Sequence, residues 1–322
     1  MRRFGSMLIA AMLLLLGLGS CKRRPLSVAD YSVNVVINID DDIVNYRMPS
    51  EPELMRVAFF DHEDGQLMTQ AFLPPRGGKV NVIPGRTYDV LVYNFDTQVT
   101  YIKDENSFPK ILATTNQISD AFKSKLKSRG TKSPTKDDLD ETIVYDPDHL
   151  YVGRLNTVEM PARSVDSPEI TLTVDCETVV QTWILEVDKI KGAQYIGSIS
   201  AVITGLSEYN KISTGLRSKD YATVFFDIQS IGQDGVVKTK FNTFGENPES
   251  GERQILSLVI TDTGGKGYIF NVDVTDQFPG NKEQIIRVKT GDIDIPEPEH
   301  QGGGGLSPSV DEWKDIVSQI EI

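Results

Sequence analysis

Short apolar stretches with a two-residue period alternate with polar turns along most of this chain. Residues 32–39 (SVNVVINI) show the period clearly and are rich in β-branched side chains, so they are predicted to form a strand with one buried face. Similar patterns predict further strands at 54–60, 67–73, 79–83, 88–93, 143–155, 170–187, 195–203, 223–231, 236–241, 255–261 and 268–274. Strands at such short spacing, separated by Gly and Asp turns, predict an all-β sandwich or barrel.

Three turn signals connect neighbouring strands. Asp64-Gly65 lies between two apolar runs and predicts a hairpin, because glycine adopts the positive φ that the turn needs. Pro84-Gly85 predicts a turn that joins 79–83 and 88–93 as a pair. The segment 262–267 contains three glycines and predicts another tight connection.

The period changes to a helical one at residues 116–128. Ile118, Phe122 and Leu126 recur at four-residue spacing, and Gly130 lies beyond the end, so one short helix is predicted. Its other face is basic, which is typical either of a solvated surface or of a partner site.

A polar segment bounded by prolines, residues 161–168, predicts a domain boundary. We therefore expect an N-terminal β-sandwich domain at 31–162 and a C-terminal β-sandwich domain at 163–298. Each has an ordinary domain size and can bury its own core.

The chain begins with a basic segment, an apolar run at residues 7–18 and the sequence Leu-Gly-Ser-Cys at 18–21. The run is too short to span a bilayer comfortably, and the small residues after it indicate a cleavage site. The cysteine directly after them resembles the bacterial lipobox, which implies acylation of Cys21 and removal of a signal peptide at 1–20. An ordinary secretory signal with a chance cysteine is the alternative.

In this interpretation residues 21–30 are a lipid-linked linker, and several acyl chains hold the mature protein on a membrane. The expected location is the cell outer membrane, with either leaflet possible. Cys176 is the other cysteine of the chain, so acylation of Cys21 leaves no partner for an intramolecular disulfide.

The end of the chain combines a hinge with an apolar segment. A glycine run at 302–305 cannot pack into a core, so residues 299–322 are predicted to be a Gly-rich hinge followed by an apolar tail. The tail fits either a helix or a strand, and it can dock on its own domain or on a partner. Its candidate partner-binding residues are Trp313, Ile316, Ile320 and Ile322.

The formal net charge of −13 argues against nucleic acid as a partner, because the phosphate backbone repels an acidic surface. The three histidines, His62, His149 and His300, are isolated and lack metal-ligand spacing. No phosphate loop, dinucleotide fingerprint or nucleophile elbow occurs. The sequence therefore predicts no enzyme activity, no cofactor, no metal and no catalytic residue.

Several short motifs along the mature chain resemble the FimB-like and fimbrillin-type lipoproteins of Bacteroidales, a family of undetermined function similar to fimbrial anchor proteins. The matching pieces are CKRRPL (21–26), LVYNFDT (91–97), YDPDHL (145–150), TGL (204–206), FNTFG (241–245) and the glycine run with Trp313. The resemblance implies two tandem transthyretin-like β-sandwich domains, with the short helix in the first. It also implies a fimbrial anchor or assembly component whose partners are other β-sandwich subunits.

A second function class remains open from the sequence. A surface glycan- or ligand-binding lipoprotein would place exposed aromatic side chains on a sandwich face. The available tyrosines are Tyr93, Tyr101, Tyr151 and Tyr209.

Overall fold

The computed structural model describes residues 31–39, 52–119, 142–162, 169–232, 234–249, 253–289 and 293–298. Nearly all regular structure in these ranges is β, which confirms the predicted all-β class. The strands are β1 (Tyr31–Ile39), β2 (Met55–Asp61), β3 (Leu67–Leu73), β4 (Gly77–Val82), β5 (Thr87–Asn94), β6 (Thr100–Lys103), β7 (Leu112–Thr115), β8 (Thr142–Tyr145), β9 (Tyr151–Glu159), β10 (Ile170–Thr178), β11 (Gln181–Val187), β12 (Ile196–Ser207), β13 (Tyr209–Lys211), β14 (Leu216–Arg217), β15 (Tyr221–Asp227), β16 (Val237–Thr243), β17 (Ile255–Asp262), β18 (Gly267–Asp273) and β19 (Ile285–Val288). Two 3₁₀ turns lie at Ala193–Tyr195 and Thr275–Gln277.

A seven-stranded sheet in the order β3-β2-β5-β9-β10-β1-β4 forms the first half of the fold. Side chains from strands across the whole sheet, both edges included, share one core, so the sheet curls around that core. Strand β1 illustrates how one face of a strand reaches this core. Its buried positions alternate with more exposed ones, and the buried side chains are Tyr31, Val33, Val35, Ile37 and Ile39.

The predicted hairpin between β2 and β3 is confirmed, with Gly65 at φ +69° in its turn. The predicted pairing of 79–83 with 88–93 is wrong. Strand β4 pairs with β1 at the sheet edge, whereas β5 lies between β2 and β9. Gly85 does make the turn, at φ +73°, but a local turn signal does not determine which strands become neighbours.

The second half is a two-layer sandwich. A five-stranded sheet (β18-β17-β12-β15-β8) faces a three-stranded sheet (β16-β11-β19). Their inner faces build one apolar core, which contains Trp183 and the stacked rings of Phe226 and Phe241, 4.2 Å apart. Strands β17 and β18 form a hairpin across the glycine-rich turn at 262–267, as the sequence predicts.

A four-stranded sheet in the order β14-β13-β7-β6 contains strands from both halves. It covers the outer face of the seven-stranded sheet, where Phe60, Leu91 and Tyr93 meet Ile111 and Ile212 in a third core.

The strands near the predicted boundary at 162/163 cross between the halves. Strand β10, after the boundary, lies in the first sheet beside β9 and β1, and β8, before it, pairs with β15 of the second half. The 162/163 division thus falls between two strands of one sheet. Residues 170–178 belong structurally with the first half, because β10 supplies Val174 and Cys176 to its core.

The predicted helix at 116–128 lies mostly outside the described residues. Its first positions are extended: Gln117 bridges Val144, and the Ile118 N–H donates to the Ile143 carbonyl at 2.9 Å. The region 170–187, which the sequence predicts to be extended, contains two strands, β10 and β11, separated at Val179–Val180.

Candidate functional site

The residues that the sequence assigns to function, Cys21 and the tail residues Trp313, Ile316, Ile320 and Ile322, lie outside the described residues. The structure does describe the two points at which their segments join the fold.

The N-terminal attachment point is Tyr31, the first residue of β1. Strand β1 is not an edge strand: it pairs in parallel with β10 and antiparallel with β4. Residue 31 therefore begins a strand that is hydrogen-bonded on both sides and that buries every second side chain.

The C-terminal attachment point is the segment 293–298. Ile293 and Ile295 are buried, the Ile295 N–H donates to the Lys191 carbonyl at 2.9 Å, and the Lys191 N–H donates to the Ile293 carbonyl at 3.1 Å. Gly192 lies against this segment at φ +71°, and a β-carbon there would be 1.8 Å from the Ile295 carbonyl oxygen. The chain beyond residue 298 thus starts from a fixed point on the second half.

Between the two attachment points, the segment 146–150 links β8 of the second half to β9 of the first. One carboxylate oxygen of Asp148 accepts three backbone N–H groups, from Gln98, Val99 and Thr100, at 2.9, 2.7 and 2.8 Å. The Asp148 N–H donates in return to the Thr100 hydroxyl at 2.7 Å. This reciprocal network fixes the linking segment to the loop that precedes β6.

Two asparagines complete the junction. Asn94 donates from its side-chain amide to the His149 carbonyl at 3.0 Å and accepts the Tyr151 N–H at 2.8 Å. Asn242 of β16 donates to the Pro147 carbonyl at 2.8 Å. Side chains from both halves therefore hold the same short segment, which makes it a rigid joint.

Burial raises the pKa of Asp146 to about 6, against the opposing effect of a hydrogen bond from the Asn242 backbone. The native chain then binds more protons at this carboxyl than the unfolded chain does between about pH 4 and 6. The contribution of Asp146 to stability is consequently most favourable at low pH and falls as the pH rises through this window.

We expect the Asp146→Asn substitution to stabilise the protein at pH 7 by on the order of 2 kcal/mol, because it removes a half-buried charge while keeping an acceptor. Urea denaturation at pH 4, 5, 6 and 7 measures this. The difference between wild type and variant should shrink toward pH 4. A difference that stays constant over this range would show that Asp146 does not titrate as described.

The histidines and Cys176 are the other residues with side chains capable of chemistry. His62 pairs with Asp89 at 3.0 Å in the β2–β3 turn, and burial lowers the pKa of His149. Burial raises the pKa of the Cys176 thiol to about 12, so it is protonated at neutral pH. His300 lies outside the described residues. Within the described ranges no three His, Cys, Asp or Glu side chains are grouped to hold a metal ion.

Of the four tyrosines considered for glycan contact, Tyr93 and Tyr151 are buried and cannot reach a ligand. Tyr101 is 37% exposed and Tyr209 is half-buried. An exposed aromatic pair that sequence reasoning missed lies instead at edge strand β3. Phe72 and Phe95 approach to 5.2 Å between ring centroids, and both lie near the guanidinium of the buried Arg56, which pairs with Glu105.

No helix among the described residues has the length and apolar character required to cross a membrane. The sequence comparison finds a relative along nearly the whole chain. This chain is 28% identical to a Bacteroides ovatus protein named "Putative fimbrium anchoring subunit Fim4B", over 348 aligned positions that cover 97% of this chain and 96% of the relative.

One solved structure shows the same architecture. A Bacteroides ovatus protein named "putative adhesin" superposes with a TM-score of 0.57 at 23% identity, over 86% of this chain and 98% of its own, so the two share a fold. The fimbrial anchor protein Mfa2 of Porphyromonas gingivalis superposes with a TM-score of 0.47 at 14% identity, over 80% of this chain and 89% of its own.

The match to a family model and the sequence relative confirm the family resemblance predicted from the sequence. Residues 20–227 match the family described as "Domain of unknown function (DUF5119)". The matched region includes the whole seven-stranded sheet and the shared four-stranded sheet. Because it covers well over half of the sequence, the chain belongs to the DUF5119 family.

Proposed function

We propose that this protein is a membrane-tethered anchor or assembly subunit of a fimbrium, with a structural rather than a catalytic role. The observation that carries the proposal is the 28% identity to a fimbrium anchoring subunit along almost the full length of both chains. The proposed location is the cell envelope, with the protein held on the outer membrane through acylated Cys21.

The geometry of the attachment points supports this role. The tether would enter at β1 in the first half and the tail would leave from 293–298 in the second half, so in this proposal the fold connects membrane and partner. The shared sheet and the Asp148 joint connect the two halves by hydrogen bonds rather than by a loose linker. Such a path suits a protein that transmits tension.

The tail is the proposed contact with a neighbouring subunit. Strand donation gives affinity through main-chain hydrogen bonds and specificity through alternate side chains that fill pockets. Ile316, Ser318, Ile320 and Ile322 alternate in this way after the glycine run. Trp313 adds a large apolar anchor.

The test compares the full chain with a chain that ends at Gln301, each purified from native membranes. Unboiled and boiled samples are run on a denaturing gel, because strand-complemented assemblies resist detergent until heated. We expect a heat-sensitive ladder or a discrete partner band that is lost with the truncation. A single monomer band from both chains would contradict the proposal.

Two variants of full length distinguish loss of the apolar anchors from loss of the tail itself. Asp in place of Trp313, Ile316, Ile320 and Ile322 should abolish the assembly band. Asp in place of Gln319 introduces charge in the same segment but leaves Trp313 and the alternating positions 316, 318, 320 and 322 intact, so the band should persist.

The tether is tested separately by Cys21→Ser, which removes the thiol that would be acylated. We expect the variant to move from the membrane fraction to the soluble fraction, since a lipid anchor is then absent. Metabolic labelling with a fatty acid should mark the wild-type chain and not the variant. Labelling of both chains, or unchanged fractionation, would exclude Cys21 as the anchor.

A further inference from the structure

The outer face of the five-stranded sheet carries an apolar stripe. Each strand contributes one buried apolar side chain on the face away from the sandwich core, and these side chains form a separate cluster. In sheet order they are Ile269 of β18, Val259 of β17, Val202 of β12, Phe225 of β15 and Ile143 of β8.

An outer face of a two-layer sandwich is normally in contact with water. Here Val202 is 0% exposed and Ile269 is 8% exposed, and the neighbouring polar residue Ser257 is also fully buried. Such burial requires a covering layer. In the ranges that the structure describes, the cluster includes one apolar residue from outside the five strands, Ile118.

The position of Ile118 indicates which part of the chain lies over the stripe. Its N–H donates to the Ile143 carbonyl, so residue 118 lies beside the β8 end of the stripe. The described chain ends at Ser119, immediately after this contact, and resumes at Thr142, at the start of β8. Both ends of the intervening segment 120–141 are thus at the same corner of the stripe.

We propose that residues 120–141 of this chain dock on the stripe, with Phe122 and Leu126 as their apolar anchors. Ile118, Phe122 and Leu126 share a four-residue spacing, so helical geometry would continue the contact that Ile118 begins. In the same geometry Lys123 and Lys127 would point away from the sheet.

The C-terminal tail is another segment to consider as the cover of this face. It leaves from Pro298, next to Gly264 in the β17–β18 turn. The described residues that precede the tail, 293–298, contribute no side chain to the stripe cluster, and their isoleucines belong to the sandwich core. Ile118 is already part of the stripe cluster, which favours the internal segment.

Photo-cross-linking tests the contact directly, on the full-length protein. Benzoylphenylalanine replaces Phe122, and cross-linked peptides are identified by mass spectrometry after irradiation. We expect cross-links to peptides from β12, β15 or β17. Cross-links elsewhere, or none within the chain, would overturn the proposal.

Thermal unfolding with a hydrophobic dye gives an independent measure. Phe122→Asp with Leu126→Asp should lower Tm by on the order of 5 °C or more and increase dye binding, because the stripe loses its cover. The matched variant, Lys123→Asp with Lys127→Asp, introduces the same number of carboxylates and should change neither. Dye binding that rises in the chain ending at Gln301, and not in the Phe122/Leu126 variant, would assign the cover to the tail instead.

Discussion

The Gly192→Ala variant is expected to be destabilised by on the order of 3 kcal/mol or more, and its C-terminal attachment point should come loose. The added methyl group would stand 1.8 Å from the Ile295 carbonyl oxygen, a separation that non-bonded atoms cannot adopt. Either the backbone of Gly192 or the segment 293–295 must move. Both movements break the reciprocal hydrogen bonds with Lys191 and withdraw two buried isoleucines from the core.

Gly265→Ala is the matched control. Gly265 has a similarly positive φ of +88°, but no atom lies within 4 Å of the place that an added methyl group would take. This variant carries the conformational cost alone, about 1 kcal/mol. Urea denaturation compares the two free energies of unfolding, and limited proteolysis reports whether residues 293–298 have become accessible. Equal losses in the two variants would show that the contact with Ile295 does not hold the segment.

The Asp148→Ala variant is expected to lose about 3 kcal/mol of stability at pH 7. The substitution removes the acceptor of three backbone N–H groups. The N–H groups of Val99 and Thr100, which are partly or fully buried, then lose the carboxylate to which they donate. Hydrogen bonds to a charged acceptor contribute more than neutral ones, and donors left without a partner carry a desolvation cost. Because the segment connects the two halves, the variant should also unfold less cooperatively.

The control for this substitution is Asp64→Ala in the β2–β3 turn. Its carboxylate accepts a single N–H, from Gln66, at 2.9 Å in an exposed position, so a loss below about 1 kcal/mol is expected. Denaturant titrations followed by fluorescence and by circular dichroism give both the free energies and the coincidence of the transitions. A loss at Asp148 no larger than that at Asp64 would contradict its role as the joint.

Local features of the fold can be predicted where one face of a strand is buried. The strand predicted at residues 32–39 is β1 (Tyr31–Ile39), because the two-residue period reflects the alternation of buried and more exposed side chains along it. The short strands β6, β7, β13 and β14 escape prediction, because each has too few residues to show a period. Strand β6 pairs locally with β7, and β13 with β14, but the pairing of β7 with β13 joins segments that are distant in sequence.

Pairing is harder to predict than strand position. Strands β4 and β5 are close in sequence, yet the buried character of β5 places it inside the sheet and β4 at the edge. The joint escapes prediction for a similar reason. Asp-Pro-Asp-His at 146–149 resembles an exposed turn, and the first of the three amides that Asp148 binds is 50 residues away in sequence. Cys21 and the tail anchors remain predictions.

The parallel pairing of β1 with β10 has a consequence for the order of folding. Ile39, at the end of β1, is opposite Cys176, so the first strand of the sheet has no partner on that side until most of the first half has been made. Contacts this distant in sequence slow folding and leave intermediates exposed. If Cys21 is lipidated at the start of export, the chain is attached to its membrane well before its first strand is enclosed.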